Sequence, residues 1–437
     1  MTSAPPPTRV RRAGLRAHLR VPLHVNALAL ATSAGLTAFL GLIYWAVAAR
    51  SYSSAEVGTQ SALISAMLLV GGMAQVGADS LLIRFLPVAG RDGRRLTARL
   101  YVIAACTGLA AGSVFVLGTS LWAPALHFLR TDPLWFGAFA ISTVVACLYA
   151  VQDSVLTGAR RAPWVPVENG LVSLLKIVLL AVFGLFVSAG GIFASWNVPT
   201  TLAVAVVTAL VFTRLLRARQ GPPGRLPSRG TLVRYMSGNY VGSLFALASI
   251  NATPLIVINR LGATPAAHFF VPWAIFNGLQ LFATSISYSL IVEAASDEAQ
   301  TVHLFRRAIV HTLVTLVPIA AGVALLGPWL LGVLGAGYSA GGGPLLRWLA
   351  LASIPAVAVP LSITRARLRN RPDLVVLIQG TWSVLILVGS YVALGRTGLG
   401  GVGISALAAA AVLAAVLAAT VLRPVLRPRR GRELLTL

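Results

Sequence analysis

Three cations lie inside long apolar segments of this sequence, where an anionic group would be their natural partner. Lys176 is the only lysine and has aliphatic neighbours on both sides, whereas Arg84 and Arg347 lie nearer the ends of their segments. An ionised side chain at mid-bilayer costs about 2.5–3.5 kcal/mol, so such residues are expected to face a protein interior or a watery cavity. Lys176 cannot easily extend its charge to either membrane surface. We therefore predict Lys176 as the leading contact for a substrate.

Carboxylates occur in the same apolar segments. Glu168 precedes Lys176 by eight residues, which is about two helical turns and about 80° around the helix, close enough to share a broad face. Asp79 belongs to the segment of Arg84, while Asp153 and Glu293 lie near the ends of theirs and are expected at the interface. Glu168 and Asp79 are predicted to line the same cavity as Lys176. A purely structural ion pair between Glu168 and Lys176 is the alternative.

Neutral polar residues gather in two later segments. Asn251 and Asn277 are the members that we predict as substrate contacts. The full group is Asn239, Asn251, Thr253, Asn259, Asn277, Gln280, Ser285, Ser287 and Tyr288. Sugar hydroxyls need neutral donors and acceptors of this kind, but hydrogen bonds between membrane helices use the same residue types. Both interpretations stay open.

Several kinds of catalytic chemistry find no support in the sequence. Lys176 is the only lysine, and the four residues before it (Val172 to Leu175) contain no glycine, so a Walker A loop for ATP does not occur. The six histidines lack the spacing of a zinc enzyme. Cys106 and Cys147 lie within apolar runs and are expected to be packing residues. We expect no catalytic residue, metal, cofactor or bound nucleotide, and hence no enzyme.

The elements that position these residues are membrane-spanning helices. Of 437 residues, 57% are hydrophobic and 11% are charged, and the mean hydropathy is +0.83, a balance that soluble domains do not tolerate. Each crossing needs about 20 apolar residues. The apolar runs predict an all-α protein with twelve transmembrane helices, at about 27–49, 57–85, 98–121, 134–157, 164–188, 191–213, 236–259, 267–292, 308–333, 344–364, 374–395 and 399–422. The short joints near 189–190 and 396–398 predict two tight hairpins.

The distribution of arginine supports this count. Of the 35 lysines and arginines, 28 fall in the two termini and in every second loop, while only Arg50, Arg130, Arg260 and Arg396 fall on the opposite side. Basic loops stay in the cytosol, so both termini are predicted to be cytosolic. The net charge of +24 therefore has an explanation without nucleic acid, and no nucleic-acid partner is expected.

A long basic loop divides the chain into two halves. The predicted units are a basic tail (1–25), a six-helix lobe (26–213), a basic cytosolic linker (214–235), a second six-helix lobe (236–422) and a basic tail (423–437). The halves echo each other weakly in sequence, so a pseudo-two-fold axis between the lobes is expected. Repeated lobes are common in transporters, where the substrate site lies between them.

Specific motifs resemble one family of transporters. The stretch from Asn26 to Pro87 resembles the opening of bacterial polysaccharide and O-antigen flippases of the multidrug/oligosaccharidyl-lipid/polysaccharide exporter superfamily, and so does part of the fifth span. The motifs are Gly41-Leu42-Ile43-Tyr44-Trp45, Ala48-Ala49-Arg50, Glu56-Val57-Gly58, Leu82-Ile83-Arg84-Phe85-Leu86-Pro87, Glu168-Asn169-Gly170 and Leu175-Lys176-Ile177.

The resemblance implies two six-helix lobes in a V that flip a lipid-diphosphate-linked oligosaccharide to the outer leaflet of the bacterial inner membrane. Cations of the lumen would hold the diphosphate. By position, Arg84 and Lys176 match charged residues of the family pattern, whereas Arg347 has no motif around it. Expected partners are the lipid-linked oligosaccharide, membrane lipids, and a polysaccharide polymerase or glycosyltransferases.

Other functions compete with this one. A multidrug antiporter of the same superfamily would need an acidic pocket, and a major facilitator transporter would need a better loop motif than Gly90-Arg91-Asp92-Gly93. A membrane-embedded glycosyltransferase or polymerase would usually need a larger outer loop than any predicted here. The sequence does not decide which ion, if any, is coupled to transport.

Overall fold

The part of the chain that the structure describes is all-α, with twelve transmembrane helices in two six-helix lobes related by a pseudo-two-fold axis. A computed structural model describes residues 35–187, 189–217, 229–294, 301–369 and 371–423. Within these ranges ten helices are long and apolar enough to span a membrane, and Gly35–Ser51 is a shorter apolar helix. The last long helix divides at Gly398, where φ is 64° and ψ is −149°, which gives the twelfth span.

The first lobe contains the helices up to Leu215. Its main helices are α1 (Gly35–Ser51), α2 (Ser54–Ala74), α3 (Ala78–Phe85), α4 (Gly93–Leu117), α7 (Pro133–Gly158), α8 (Trp164–Phe186) and α9 (Gly191–Leu210). The short helices α5 (Thr119–Trp122) and α6 (Phe128–Thr131) connect α4 to α7. A π-helical turn over Val211–Leu215 extends α9.

The second lobe repeats this layout with longer helices. They are α10 (Arg229–Leu261), α11 (Ala263–Ala294), α12 (Thr301–Gly332), α13 (Ala336–Ala356), α14 (Ala358–Leu368) and α15 (Pro372–Ala419). Helix α14 continues α13 as one span. The packing α4 on α7, α2 on α7 and α7 on α9 in the first lobe recurs as α12 on α13, α11 on α13 and α13 on α15 in the second.

Two glycines with positive φ reverse the chain at matching places in the two lobes. Gly190 (φ 81°) precedes α9, and Gly398 (φ 64°) divides α15. A Cβ added at Gly389 would lie 3.3 Å from the Cβ of Ser405, so the two halves of α15 run back along each other. Only glycine adopts this region without strain. The tight hairpin predicted at 396–398 is therefore present.

The second predicted span is interrupted. Val76 and Gly77 have φ values of 49° and 75°, and this left-handed pair ends α2 and starts α3. Asp79 consequently lies in the first turn of α3. A carboxylate there is stabilised by the helix dipole, which explains its place in an apolar segment without a substrate.

Two helix starts differ from the sequence expectation. Helix α10 begins at Arg229, inside the range assigned to the linker, because the last proline of that range is Pro227 and no further proline precedes the span. The linker residues 218–228 lie outside the described residues, as do both predicted tails apart from Arg423. Helix α13 begins at Ala336, eight residues before the predicted start at 344. The glycines at 341–343 allow close helix packing there, which outweighs their low helix propensity.

Candidate functional site

Lys176 lies on α8 beside a group of aromatic rings from two other helices, α1 and α9. Its Nζ is 3.8 Å from the centroid of the Trp196 ring on α9. Trp196 contacts Tyr44 at 5.3 Å and Trp45 at 6.2 Å between ring centroids, and both belong to α1. The Tyr44 hydroxyl donates to the carbonyl of Ile192 at 2.8 Å, which ties α1 to α9. Stacking on an indole face stabilises a buried cation by about 2 kcal/mol.

This aromatic group, defined as Tyr44, Trp45 and Trp196, reaches the other lobe. The Trp45 ring lies 4.4 Å from that of Phe270 on α11, centroid to centroid. Lys176 is therefore two ring contacts away from the second lobe. A charge at this place can respond to the relative position of the lobes.

The structure does not pair Lys176 with Glu168. Among the described residues the one ion pair joins Arg371 to Asp373, at 2.8 Å near the start of α15. The structural ion pair considered from the sequence is thus absent, because Trp196 occupies the face of the ammonium and the Glu168 carboxylate turns to another helix. The two residues share α8 but have separate surroundings.

Glu168 belongs to a hydrogen-bonded brace between α7 and α8. Gln152 on α7 donates to Glu168 on α8, and Asn169 on α8 donates to Asp153 on α7 at 3.4 Å. Tyr149 donates to the Asn169 side-chain oxygen. Each helix therefore donates one side-chain hydrogen bond to a carboxylate of the other helix. Asp153, expected at the interface, lies in this brace with its partly buried side chain.

Three oxygens of this region lack partners. Glu168 Oε2, Asp153 Oδ1 and the Tyr101 hydroxyl are enclosed and accept or donate no hydrogen bond. Tyr101, on α4, lies close enough to both carboxylates to interact electrostatically. Two buried carboxylates without a cation are unfavourable unless a proton or a cation neutralises them. The brace can therefore take up positive charge, although no group of three or more His, Cys, Asp or Glu that could hold a metal ion occurs in the described ranges.

Asp79 and Arg84 lie on α3, away from the aromatic group. Arg84 is exposed in the last turn of α3, and its guanidinium lies 5.7 Å from the centroid of the Phe85 ring. Helix α3 packs on α7, and its buried residues belong to a separate core with α4 and α7. The structure therefore does not bring Asp79 or Arg84 into contact with the rings around Lys176.

Arg347 is deeper than expected. It is exposed and is the twelfth residue of α13, about 16 Å along the helix from Ala336, whereas the sequence placed it near the outer end. The earlier helix start causes this difference. Arg347 lies in the second lobe, and no contact described here joins it to Lys176.

The second lobe contains a cavity of about 270 Å³ whose lining is mainly apolar but includes several polar side chains. Asn277 lines it, together with Gln280, Gln379 and Arg367. The Gln280 Oε1 is buried and has no hydrogen-bond partner. Asn251 lies outside this lining and donates to the Leu247 carbonyl of its own helix at 3.2 Å. Asn277 likewise donates to the Trp273 carbonyl of its own helix at 2.8 Å, so the two predicted asparagines differ only in that Asn277 lines the cavity.

Sequence reasoning missed the groups that surround the charges. Trp196 and Gln152 were not singled out, nor was Arg365, whose side chain is 6% exposed with Nη1 unpartnered. One signal was available: the adjacent polar pairs Gln152-Asp153 and Glu168-Asn169 lie at facing ends of consecutive spans. The aromatic contacts, in contrast, could not be found from the sequence, because no regular spacing relates Tyr44 and Trp45 on α1 to Trp196 on α9.

The lobes meet closely at the end of the molecule that carries few arginines, here called the arginine-poor end. Arg50 donates to the Val333 carbonyl from Nε at 3.1 Å and from Nη2 at 2.9 Å. Asn259 donates to the Trp122 carbonyl at 3.1 Å. A Cβ at Gly58 would lie only 1.8 Å from the Ala263 carbonyl oxygen. The arginine-poor end is closed in this structure.

Solved structures share this arrangement of two lobes. The inward-facing structure of a multidrug resistance MATE family transporter of the MOP superfamily matches with a TM-score of 0.68 at 15% identity, over 90% of this chain and 94% of that one. The chain shares the fold of that transporter.

The same fold is found in two further matches. The outward-facing structure of a multidrug resistance MATE transporter matches with a TM-score of 0.64 at 14% identity, over 93% of this chain and 96% of that one. A MOP superfamily transporter from Pyrococcus furiosus, described as having a binding pocket of reverse polarity that suggests a different function, matches with a TM-score of 0.64 at 14% identity over 92% and 95%. No protein-family model and no curated sequence matches the chain.

Proposed function

We propose that this chain is a secondary transporter that exports an anionic amphiphile, and that its substrate is a lipid-diphosphate-linked oligosaccharide flipped from the cytosolic to the outer leaflet. The observation that carries the proposal is the Lys176 ammonium, which has no carboxylate partner among the described residues and lies beside the lobe junction. A cation in that position attracts a diphosphate, and the second lobe offers neutral amides such as Asn277 for sugar hydroxyls.

The membrane potential can drive such export without a nucleotide. A diphosphate carries about two negative charges, and each is worth about 2.3 kcal/mol per 100 mV, so outward movement gains about 4–5 kcal/mol per 100 mV. Uptake of a cation or proton by the Glu168–Asp153 brace would add a second source of energy. We place both termini in the cytosol and the chain in the bacterial inner membrane, between glycosyltransferases that make the substrate and a polymerase that uses it.

Multidrug export is the second candidate. MATE transporters with this fold are described as multidrug resistance proteins. Glu168 and Asp153 are buried carboxylates without a cation partner among the described residues, and they would suit a cationic drug. The reverse polarity described for the Pyrococcus furiosus transporter supports the view that the fold leaves the charge of the pocket open. Charge at the site, and not the fold, therefore distinguishes the two functions.

A reconstitution experiment tests the proposal. The purified full chain is placed in liposomes with a fluorescent polyprenyl-diphosphate-linked sugar, and a membrane-impermeant quencher measures its appearance in the outer leaflet. The proposal predicts flipping that is lost in Lys176→Gln and retained in Lys176→Arg. The exposed Arg99→Gln variant, with the same loss of charge away from the aromatic group, should retain the normal rate.

The same liposomes decide between the candidates. Efflux of a cationic dye that depends on Glu168 and Asp153, with no flipping of the diphosphate lipid, would support multidrug export and overturn the flippase proposal. Flipping that persists in Lys176→Gln would show that Lys176 is not the substrate contact.

A further inference from the structure

A groove of about 610 Å³ lies between α8 and α9, separate from the surroundings of Lys176. Its walls are almost entirely aliphatic. Val167, Leu171, Leu202 and Val206 line it and are between 49% and 63% exposed. In a membrane-spanning lobe, exposed aliphatic walls of this kind contact acyl chains and not water.

Two irregularities of α9 create the gap. Pro199 lies within α9 and lines the groove; it removes a backbone hydrogen bond and bends the helix. The π-helical turn Val211–Leu215 inserts an extra residue at the other end. Such turns change the direction of the side chains that follow them and often occur at binding sites. The turn includes Arg214, which also lines the groove.

The polar groups of the groove lie at one end. Arg161 and Arg214 line it at the arginine-rich end, and both are exposed. Neither forms an ion pair within the described ranges. Trp164 lies beside them at the start of α8, and tryptophan is enriched at the level of lipid headgroups. From Trp164 to Leu175 the groove extends about 16 Å, close to half of a hydrocarbon core of about 30 Å.

We propose that this groove binds one anionic phospholipid of the cytosolic leaflet, with its phosphate between Arg161 and Arg214 and an acyl chain against α8 and α9. Charge complementarity and the apolar depth of the groove together define this occupant. Glu168 also lines the groove, with one carboxylate oxygen accepting from Gln152 and the other enclosed, and the two arginines outnumber this single carboxylate. The lipid would support α8, the helix that carries Lys176 and Glu168.

Lipid titration of the purified full chain in detergent tests this site. Phosphatidylglycerol and phosphatidylcholine with identical acyl chains are compared by native mass spectrometry and by the shift in Tm. Phosphatidylglycerol should bind as one retained lipid and raise Tm more than phosphatidylcholine. Glycerol 3-phosphate, which has the charge but no acyl chain, should leave Tm unchanged; an equal effect would indicate an anion site only and overturn the proposal.

Matched variants separate the groove from general surface charge. Arg161→Gln with Arg214→Gln should weaken binding of phosphatidylglycerol about tenfold or more, because each arginine near a headgroup contributes about 1 kcal/mol. Leu171→Trp with Val206→Trp should abolish retention by filling the groove. Arg94→Gln with Arg95→Gln removes the same charge from exposed positions at the start of α4 and should bind normally.

Two results would overturn the proposal. Equal weakening in the control pair would mean diffuse attraction to the basic surface, and undiminished binding in the groove variants would place the lipid elsewhere. Tm in lipid-free detergent verifies that each variant is folded, and Leu202→Trp alone replaces the double tryptophan variant if that one fails to fold. Lipid retention is measured without transport, so it is independent of the proposed function.

Discussion

The ammonium of Lys176 lies 3.8 Å from the centroid of the Trp196 ring and forms no ion pair with Glu168, eight residues earlier on the same helix. Because this half-buried cation is held by a ring and not by a carboxylate, its removal leaves no unpaired charge behind. The loss of Lys176 should therefore cost much less stability than the loss of an ion-paired lysine.

We first predict that Lys176→Met leaves the free energy of unfolding within about 1 kcal/mol of the wild type and abolishes flipping. The apolar stem of methionine fills a similar volume, and removing a buried unpaired charge removes its desolvation cost. Thermal unfolding in detergent and the liposome assay measure the two effects. A loss of about 3–5 kcal/mol would instead indicate a buried ion pair with Lys176.

The second prediction concerns the brace between α7 and α8. Gln152→Leu should destabilise the first lobe by about 1–3 kcal/mol, because it leaves a buried Glu168 oxygen without its donor. Adding Glu168→Leu should recover most of this loss, since both polar groups are then gone. Chemical denaturation of the single and double variants measures the difference. Strict additivity of the two changes would show that they do not interact.

Closure of the arginine-poor end gives the third prediction. Gly58→Val should prevent the lobes from meeting, because a Cβ at this position would lie 1.8 Å from the Ala263 carbonyl oxygen. Transport should be lost while the protein remains folded. Gly137→Ala is the control, since a Cβ there meets nothing within 4 Å, and it should gain about 0.5–1 kcal/mol in helix stability. Normal transport by Gly58→Val would show that this closure is not part of the cycle.

Arg50 and Arg260 end corresponding helices of the two lobes and provide a matched pair for the fourth prediction. Arg50 bonds across the lobes to Val333, whereas the Arg260 guanidinium lies 3.8 Å from the Tyr391 ring centroid within its own lobe. Arg50→Gln should open the arginine-poor end and increase labelling of a cysteine at Ala263. Arg260→Gln should not. Equal labelling in both variants would contradict a role for the interlobe bond.

The fifth prediction tests orientation. Cysteines placed in the basic loop 214–235 should react with an impermeant reagent only from the cytosolic side, because that loop has six arginines. The background is Cys106→Ser with Cys147→Ala, which should retain transport; Cys147 is buried among apolar residues and Cys106 is exposed. Labelling from outside would overturn the assigned orientation.

The sequence by itself determined the number of spans and their hairpins, and it showed that arginine is concentrated at one end of the spans. These follow from local quantities: apolar length, the glycines at 190 and 398, and the placement of arginine, all of which act within one helix or one loop. It also identified Lys176 and Glu168 as charges that need a protein environment, since the cost of burying an ionised group depends little on which neighbours surround it.

Only the tertiary structure decided what those neighbours are. Trp196 on the next helix lies against Lys176, Tyr44 on the first helix packs on Trp196, and the Glu168 carboxylate accepts from Gln152 and forms no pair with Lys176. A residue on one helix face could pack against any of several neighbouring helices. The rotation of the helix about its axis and the angle at which helices cross determine which neighbour it contacts. Asp79 gives a second example. Its place in an apolar segment predicted that it lines a cavity, whereas the left-handed conformation of Val76 and Gly77 places it at the start of a helix.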